Sequence, residues 1–293
     1  MVTKRQVPTV RLRRLAAELR RLRAVAELTQ GDVAEATGIN TATLYRIESA
    51  KVRPQRRTLM TLLELYQVPQ LRRGEVLALL QDNGEQSWLR PYHADLRDGY
   101  IEYIGLEAEA RAVWNYESLH VPGLLQTADY YRAVVRSVLH AADEDEIDRR
   151  VRVRLERYSV LVKDEPLQFR AVLDEAAIRR AVGGPEVMCD QLRHMVSAAA
   201  LPNVTLQIIP FTAGAHAGMP GSFALLSFPE AEGPEIIYVD SRAGDIFIEA
   251  AEDLDRYGDT FDRLVSLALS PDESVSLIAE AAGEFGERAE GAA

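Results

Sequence analysis

Thr29 to Lys51, TQGDVAEATGINTATLYRIESAK, is the stretch whose reading decides the front of the fold. Thr29 is a good helix N-cap, because its hydroxyl can accept from free N–H groups of a first turn. Val33, Ala34 and Ala36 follow at helical spacing. Gly38 then breaks the helix, as a tight turn demands. From about Thr41 a second short helix places Leu44 and Ile47 three apart on one face. Two short helices joined by a glycine-containing turn make a helix-turn-helix, whose second helix enters the major groove. The competing reading is a plain helical hairpin in an all-α domain; the flanking charges favour DNA.

Working outward, Val10 to Leu28 reads as one amphipathic helix. Leu12, Leu15, Leu19 and Leu22 face a core, and Arg11, Arg13, Arg14, Arg20, Arg21 and Arg23 crowd the other positions. That face is either solvated or crosses a phosphate backbone, and the neighbouring motif favours the second. Downstream, Pro54 ends regular structure and Arg53, Arg56 and Arg57 stand ready for phosphates. Thr58 is read as the cap of a fourth helix with Leu59, Leu62, Leu63 and Leu65 in the core, and a fifth runs from about Gln70 to Gln81. The expectation is an all-α N-terminal helix-turn-helix domain of five helices.

The charge divides along the same line. Residues 1–80 carry 15 Lys+Arg against 7 Asp+Glu, whereas the remainder carries 19 against 38, for a total of −11. A basic front domain suits nucleic acid, and the acidic remainder is expected to project away from it. A length of 293 residues suggests about two domains. One cysteine, Cys189, excludes an internal disulfide and any multi-thiolate metal site, and is read as a packing residue. No apolar run approaches the ~18 residues of a membrane span and no apolar signal core opens the chain, so a cytoplasmic protein without a membrane partner is expected.

The string LRRLRAVAELTQGDVAEATGINTATLYRIESAKVRP resembles the Xre family of helix-turn-helix regulators, related to the phage repressor and Cro domains. The likeness extends over residues 12–80 and rests on Arg23, the Thr29-Gln30 start, Gly38 and the Ile47-Glu48-x-x-Lys51 ending. It implies that Thr41, Ala42 and Arg46 meet base edges with Tyr45 beside them, and that Gln30, Lys51 and Arg53 hold phosphates. It also implies a partly buried ion pair, Arg23 with Glu48, that braces the helices. Ala50 and Glu27 stand where the family commonly has glycine. A left-handed Ala50 would cost about 1 kcal/mol, so the helix end is expected to be built differently.

Beyond a linker at 82–95, residues 96–283 read as α+β. Helices are expected at 96–110, from Gln126–Thr127, at 143–160, after LDEAAI up to Gly183-Gly184, at PEVMCDQLRHMV, at 249–269 and at 271–282. Strands are expected at RAVWNYES, LQFRAVL, NVTLQIIP, SFALLSF and EIIYVD, in a mostly antiparallel sheet. Residues 1–10 are read as a flexible arm and 284–293 as a disordered tail.

The strings VPGLLQT (Val121 to Thr127) and GGPEVMCDQL, with the RVRVRLERYSVL helix, resemble one domain of unknown function. It follows the helix-turn-helix in actinobacterial Xre regulators of the WhiJ type, described as antitoxin-like. That resemblance implies a transcriptional regulator, often encoded beside a small BldB-like partner protein.

No dinucleotide, phosphate-loop, zinc-protease or nucleophile-elbow motif is present, and the histidines at 93, 120, 140, 194 and 216 form no ligand-spaced pair. His216 with Ser222 in the loop PFTAGAHAGMPGS is the one hint of catalysis, and the same loop suits a lid over a small-molecule pocket. We expect no enzyme, no cofactor and no metal. The expected protein is a sequence-specific regulator binding double-stranded DNA as a homodimer, since two-fold symmetry doubles the contact. Its acidic domain would serve dimerisation, a partner or a small-molecule effector. The alternative is an antitoxin-like protein that mainly sequesters a small partner.

Overall fold

A computed structural model of the chain describes residues 10–80, 87–139, 142–229 and 235–291. The expected arm, but for Val10, and linker residues 82–86 lie outside the described residues. The chain forms two compact units that part between Trp88 and Leu89.

The first unit contains α1 (Val10–Val25), α2 (Gln30–Thr37), α3 (Thr41–Glu48), α4 (Arg56–Leu65) and α5 (Gln70–Ala78). Leu12, Leu15, Leu19 and Leu22 of α1 share one core with Val33, Leu44, Ile47, Leu59, Leu62 and Leu63. Each such side chain contributes roughly 1.5–3 kcal/mol on burial. Thr29 caps α2 through a reciprocal pair: its hydroxyl accepts from Asp32 N–H, and the Asp32 carboxylate accepts from Thr29 N–H. Gly38 closes that helix at φ 71°, and the Asn40 side chain caps α3 by accepting from Ala42 N–H. The fourth helix starts at Arg56, so Thr58 lies inside it and is not its cap. The helix begins as soon as the backbone is clear of Pro54.

Helices α1, α3 and α4 end alike. Glu27, Ala50 and Gln67 have φ of 56°, 56° and 54°. The N–H of the next residue reaches back five positions, from Leu28 to Arg23, Lys51 to Arg46 and Val68 to Leu63, at 2.8–3.1 Å. These are Schellman turns made without glycine. The different helix end expected at Ala50 is therefore overturned; its methyl is buried in the unit's core, which offsets the backbone cost.

The second unit runs α6 (Asp98–Glu109), β1 (Ala112–Glu117), α7 (Ala128–Val138), α8 (Glu144–Glu156), β2 (Gln168–Asp174), α9 (Glu175–Arg179), α10 (Pro185–Ala198), β3 (Val204–Ile209), β4 (Phe223–Ser227), β5 (Ile236–Ser241), β6 (Gly244–Ile248), α11 (Ala251–Leu267) and α12 (Pro271–Glu290). The strands lie in the order β3-β2-β1-β4-β5-β6. β1 is parallel to β2 and β2 to β3, while β1–β4, β4–β5 and β5–β6 are antiparallel. The sheet is mixed, which corrects the mostly antiparallel expectation. Its cause is the connections: α7 and α8 carry the chain from β1 to β2, α9 and α10 from β2 to β3, and a helical crossover returns a strand in the same direction. The count of helical elements differs too, because 3-10 segments form at Ser87–Tyr92, Gly123–Leu125, Arg157–Leu161 and Phe211–Ala213.

The C-terminal end is another correction. α12 continues to Glu290, through most of the expected disordered tail. Ile278, Ala281, Ala282 and Phe285 recur on one buried face, so packing carries the helix past residue 284. Tyr116, Phe223 and Ile237 of the sheet pack with Phe261 and Leu264 of α11. Glu107 of α6 and Arg157, 1 % and 3 % exposed, form a two-point ion pair at 2.7 Å, and Arg157 also donates to the Tyr100 hydroxyl. The fully buried Gln191 of α10 accepts from Thr127 N–H and donates to the Leu125 carbonyl, while Gln126 donates to the Val121 carbonyl. Gln191 thus joins the strings VPGLLQT and GGPEVMCDQL.

The exposed left-handed residues give a direct test. Glu27→Gly and Gln67→Gly should each raise stability by about 1 kcal/mol, read as a shifted denaturant midpoint at unchanged m. Ala50→Gly should gain less, because it also deletes a buried methyl.

Candidate nucleic-acid interface

The geometry starts from Glu48, a carboxylate 2 % exposed at the end of α3. Burying it without partners would be costly. Arg23 of α1 binds both its oxygens, at 2.7 and 3.1 Å, and gives a third bond to the Leu28 carbonyl. The Gln30 amide of α2 donates to the same carboxylate at 2.7 Å. Arg20 donates to the Glu48 backbone carbonyl at 2.6 Å, satisfying a free acceptor at the helix end. Tyr66 lies beside this network; burial pushes its phenol up, and the Glu48 charge adds to the effect.

With one side of α3 fixed by Leu44, Ile47 and Glu48, Thr41, Ala42, Tyr45 and Arg46 are left exposed on the other. Tyr45 is 53 % exposed, an aromatic ring held in solvent, with the Lys51 ammonium 5.2 Å from its centroid. Arg46 folds back on its own helix, donating to the Ala42 carbonyl at 3.2 Å and the Thr43 hydroxyl at 3.4 Å. Such long, exposed bonds exchange readily for stronger ones. Lys51, Arg56 and Arg57 are exposed nearby in sequence. Gln30 and Arg53 hold internal partners, the second through the Leu80 carbonyl at 2.9 Å.

Several arginines of α1 act inside the protein. Arg20 and Arg23 brace α3, and Arg21 pairs with Glu18, which also meets Arg72. Hydrogen bonding from Arg21 holds the Glu18 carboxyl below its usual range. A helical wheel cannot separate Arg20 and Arg23 from solvated arginines, because their acceptors lie on α3 or on the backbone, whereas the exposed Arg21 meets Glu18 on its own helix.

In the second unit the two members of the catalytic hint have separate partners. His216 Nε2 lies 3.2 Å from Asp174 Oδ2, and its Nδ1 accepts from Gly218 N–H. With both ring nitrogens engaged, His216 pins its loop against β2. Ser222 instead accepts from Ser118 N–H at 3.1 Å and lies 3.3 Å from the Ser118 hydroxyl. It also hydrogen-bonds Glu117 at the end of β1; burial pushes that carboxyl up to about 7, against the opposing pull of the Ser222 and Asn115 hydrogen bonds.

Two measurements follow. Glu48→Gln should lower the stability of the first unit by about 2–3 kcal/mol, since charged hydrogen bonds are exchanged for neutral ones. A carboxyl raised in the folded state favours folding below its unfolded value and loses that advantage as pH rises toward 7. The unfolding free energy of the wild type should therefore fall between about pH 5 and 7 relative to that of Glu117→Gln, by an amount of order 3 kcal/mol, read from denaturant unfolding at each pH.

A helix-turn-helix domain family model matches residues 14–76, so α1 to α4 and most of α5 constitute such a domain. No curated protein and no solved structure matches the chain. No helix among the described residues is long and apolar enough to cross a membrane. A second model, a domain of unknown function (DUF5753), matches residues 100–280, more than half of the 293 residues. The chain therefore belongs to the family of proteins that carry this domain of unknown function, here behind a helix-turn-helix.

Proposed function

We propose that the chain is a sequence-specific DNA-binding transcriptional regulator of the Xre type, acting as a homodimer, with a WhiJ-type C-terminal domain that answers to a partner or ligand. The observation that carries this reading is α3: a short helix locked on one side by the Glu48 network and presenting Thr41, Ala42, Tyr45 and Arg46 on the other. The positive balance of residues 1–80 supports it.

Arg46, released from its own helix, reaches guanine O6 and N7 with two parallel donors, worth roughly 1–3 kcal/mol of discrimination. Thr41 and Ala42 offer methyl groups to thymine, and Tyr45 lies beside them. Lys51 takes a phosphate as a point charge. Gln30 and Arg53 serve phosphates by sharing or exchanging their present internal acceptors. Arg23 and Glu48 orient the reading helix and touch no base. A two-fold dimer sets two such helices on successive half-sites. The second unit supplies dimerisation and the response to a small BldB-like protein or an effector.

Arg46→Ala should cost about 1–3 kcal/mol on the operator and far less on scrambled DNA. Lys51→Ala should weaken both alike and lower the salt slope by about one. Equal losses on both duplexes for Arg46→Ala would remove it from the base-reading set.

A further inference from the structure

Arg157, buried in the second unit, has Glu107 as its counter-ion, and the more exposed Arg149 has Asp95. Arg154, one turn before Arg157 and near the end of α8, breaks the pattern. Among the described residues no carboxylate lies within ion-pair distance of it, and its Nε is buried without a hydrogen-bond partner. Aromatic faces flank it instead, with Cζ 4.1 Å from the Tyr131 ring centroid and 5.4 Å from that of Tyr100. Burial raises the Tyr131 phenol, yet the charge and a hydrogen bond of Arg154, with the charges of Arg150 and Arg157, together lower it. The field here is positive.

Gly123 sits against this guanidinium. A Cβ at that position would collide with Arg154 Nη1 and stand 3.0 Å from Arg157 Nη1. By lacking a side chain at Gly123 the loop after β1 makes room for two cations to converge, and only Arg157 brings its own counter-ion. Arg154 is half-buried, and His120 of the same loop is exposed, so solvent reaches the place. It also lies beyond the C-terminal end of β1, where the chain leaves toward β2 on one side and β4 lies on the other. Open sheets with helical crossovers place ligands at such ends.

We propose that Arg154, framed by Tyr100 and Tyr131 and set against Gly123, anchors a site for a small organic anion: a carboxylate or phosphate monoester joined to an apolar ring. The guanidinium fork matches either head group with two parallel donors, and the tyrosine faces receive the ring. Binding gives the Arg154 guanidinium the counter-ion that it lacks in the free protein. The inference names the ligand class for the response arm of the reading above, and depends on that reading for its consequence at DNA alone.

The test uses the full chain with benzoate and phenyl phosphate as probes, benzamide as the neutral analogue, and constant ionic strength. Calorimetry should show at least one of the two anions binding tenfold or more tighter than benzamide, and raising the thermal midpoint. Arg154→Lys, which keeps the charge and removes the fork, should weaken that binding at least tenfold. Should that variant misfold, a crystal structure of the wild type with the tighter probe decides: an anion on Arg154 supports the site, and an anion elsewhere overturns it. Neither anion exceeding benzamide, or undiminished binding by folded Arg154→Lys, overturns it as well. Anion binding with unchanged operator affinity leaves the site standing and removes its role as effector. Anion binding by a chain that holds no duplex refutes the DNA reading and not the site.

Discussion

One desolvated carboxylate organises the first unit. Glu48 sits where α1, α2 and α3 converge and is approached by a side chain from each of the other two, Arg23 and Gln30, while Arg20 takes the carbonyl of the same residue. Removing one partner from such a cluster leaves an uncompensated charge, so the arrangement stands or falls as a whole. The apolar core holds the three helices together, but the hydrophobic attraction that assembles it is non-directional. The ion pair, with its fixed fork geometry, selects one orientation. The outward set Thr41, Ala42, Tyr45 and Arg46 is a consequence of that selection.

The second unit uses the same device twice over. Glu107 and Arg157 lock α6 to the segment after α8, and Gln191 stitches the loop after β1 to α10. In both units polar groups that could not be left bare in the interior decide how apolar surfaces meet. The strings VPGLLQT and GGPEVMCDQL stand out in the sequence for this reason: the backbone groups of the first are completed by the side chain of the second.

Much of the first unit was legible because its signals are local. The Thr29 cap, the Gly38 turn and the buried Leu44 and Ile47 are each settled within a few residues. What escaped was decided from a distance. Arg20 reads like its neighbours on α1 until α3 is in place, and only the family resemblance set Arg23 apart as the partner of Glu48. Ala50 adopts a left-handed backbone that its own side chain disfavours, because the core takes its methyl. In the sheet, five strands were visible as apolar runs, but a strand carries no mark of the direction of its neighbour. The helices between β1, β2 and β3 held that information, and β6, GDIFI, lacks the alternation that would reveal it. Among the candidate site residues, Gln30 was assigned through the resemblance and Arg53 also through its basic run, and their present acceptors depend on folds of the chain that no local pattern displays.

The two units also form on different clocks. The helices of the first are neighbours in sequence, and such contacts close quickly. At the centre of the second, Asn115 of β1 donates to the carbonyl of Phe223, 108 residues later, so the middle of the sheet cannot close until β4 has been made. On a ribosome the helix-turn-helix is complete while β1 still lacks a neighbour, with its apolar faces uncovered. Errors of folding will therefore gather in the rear of the protein, and a chain damaged there keeps a fully formed front.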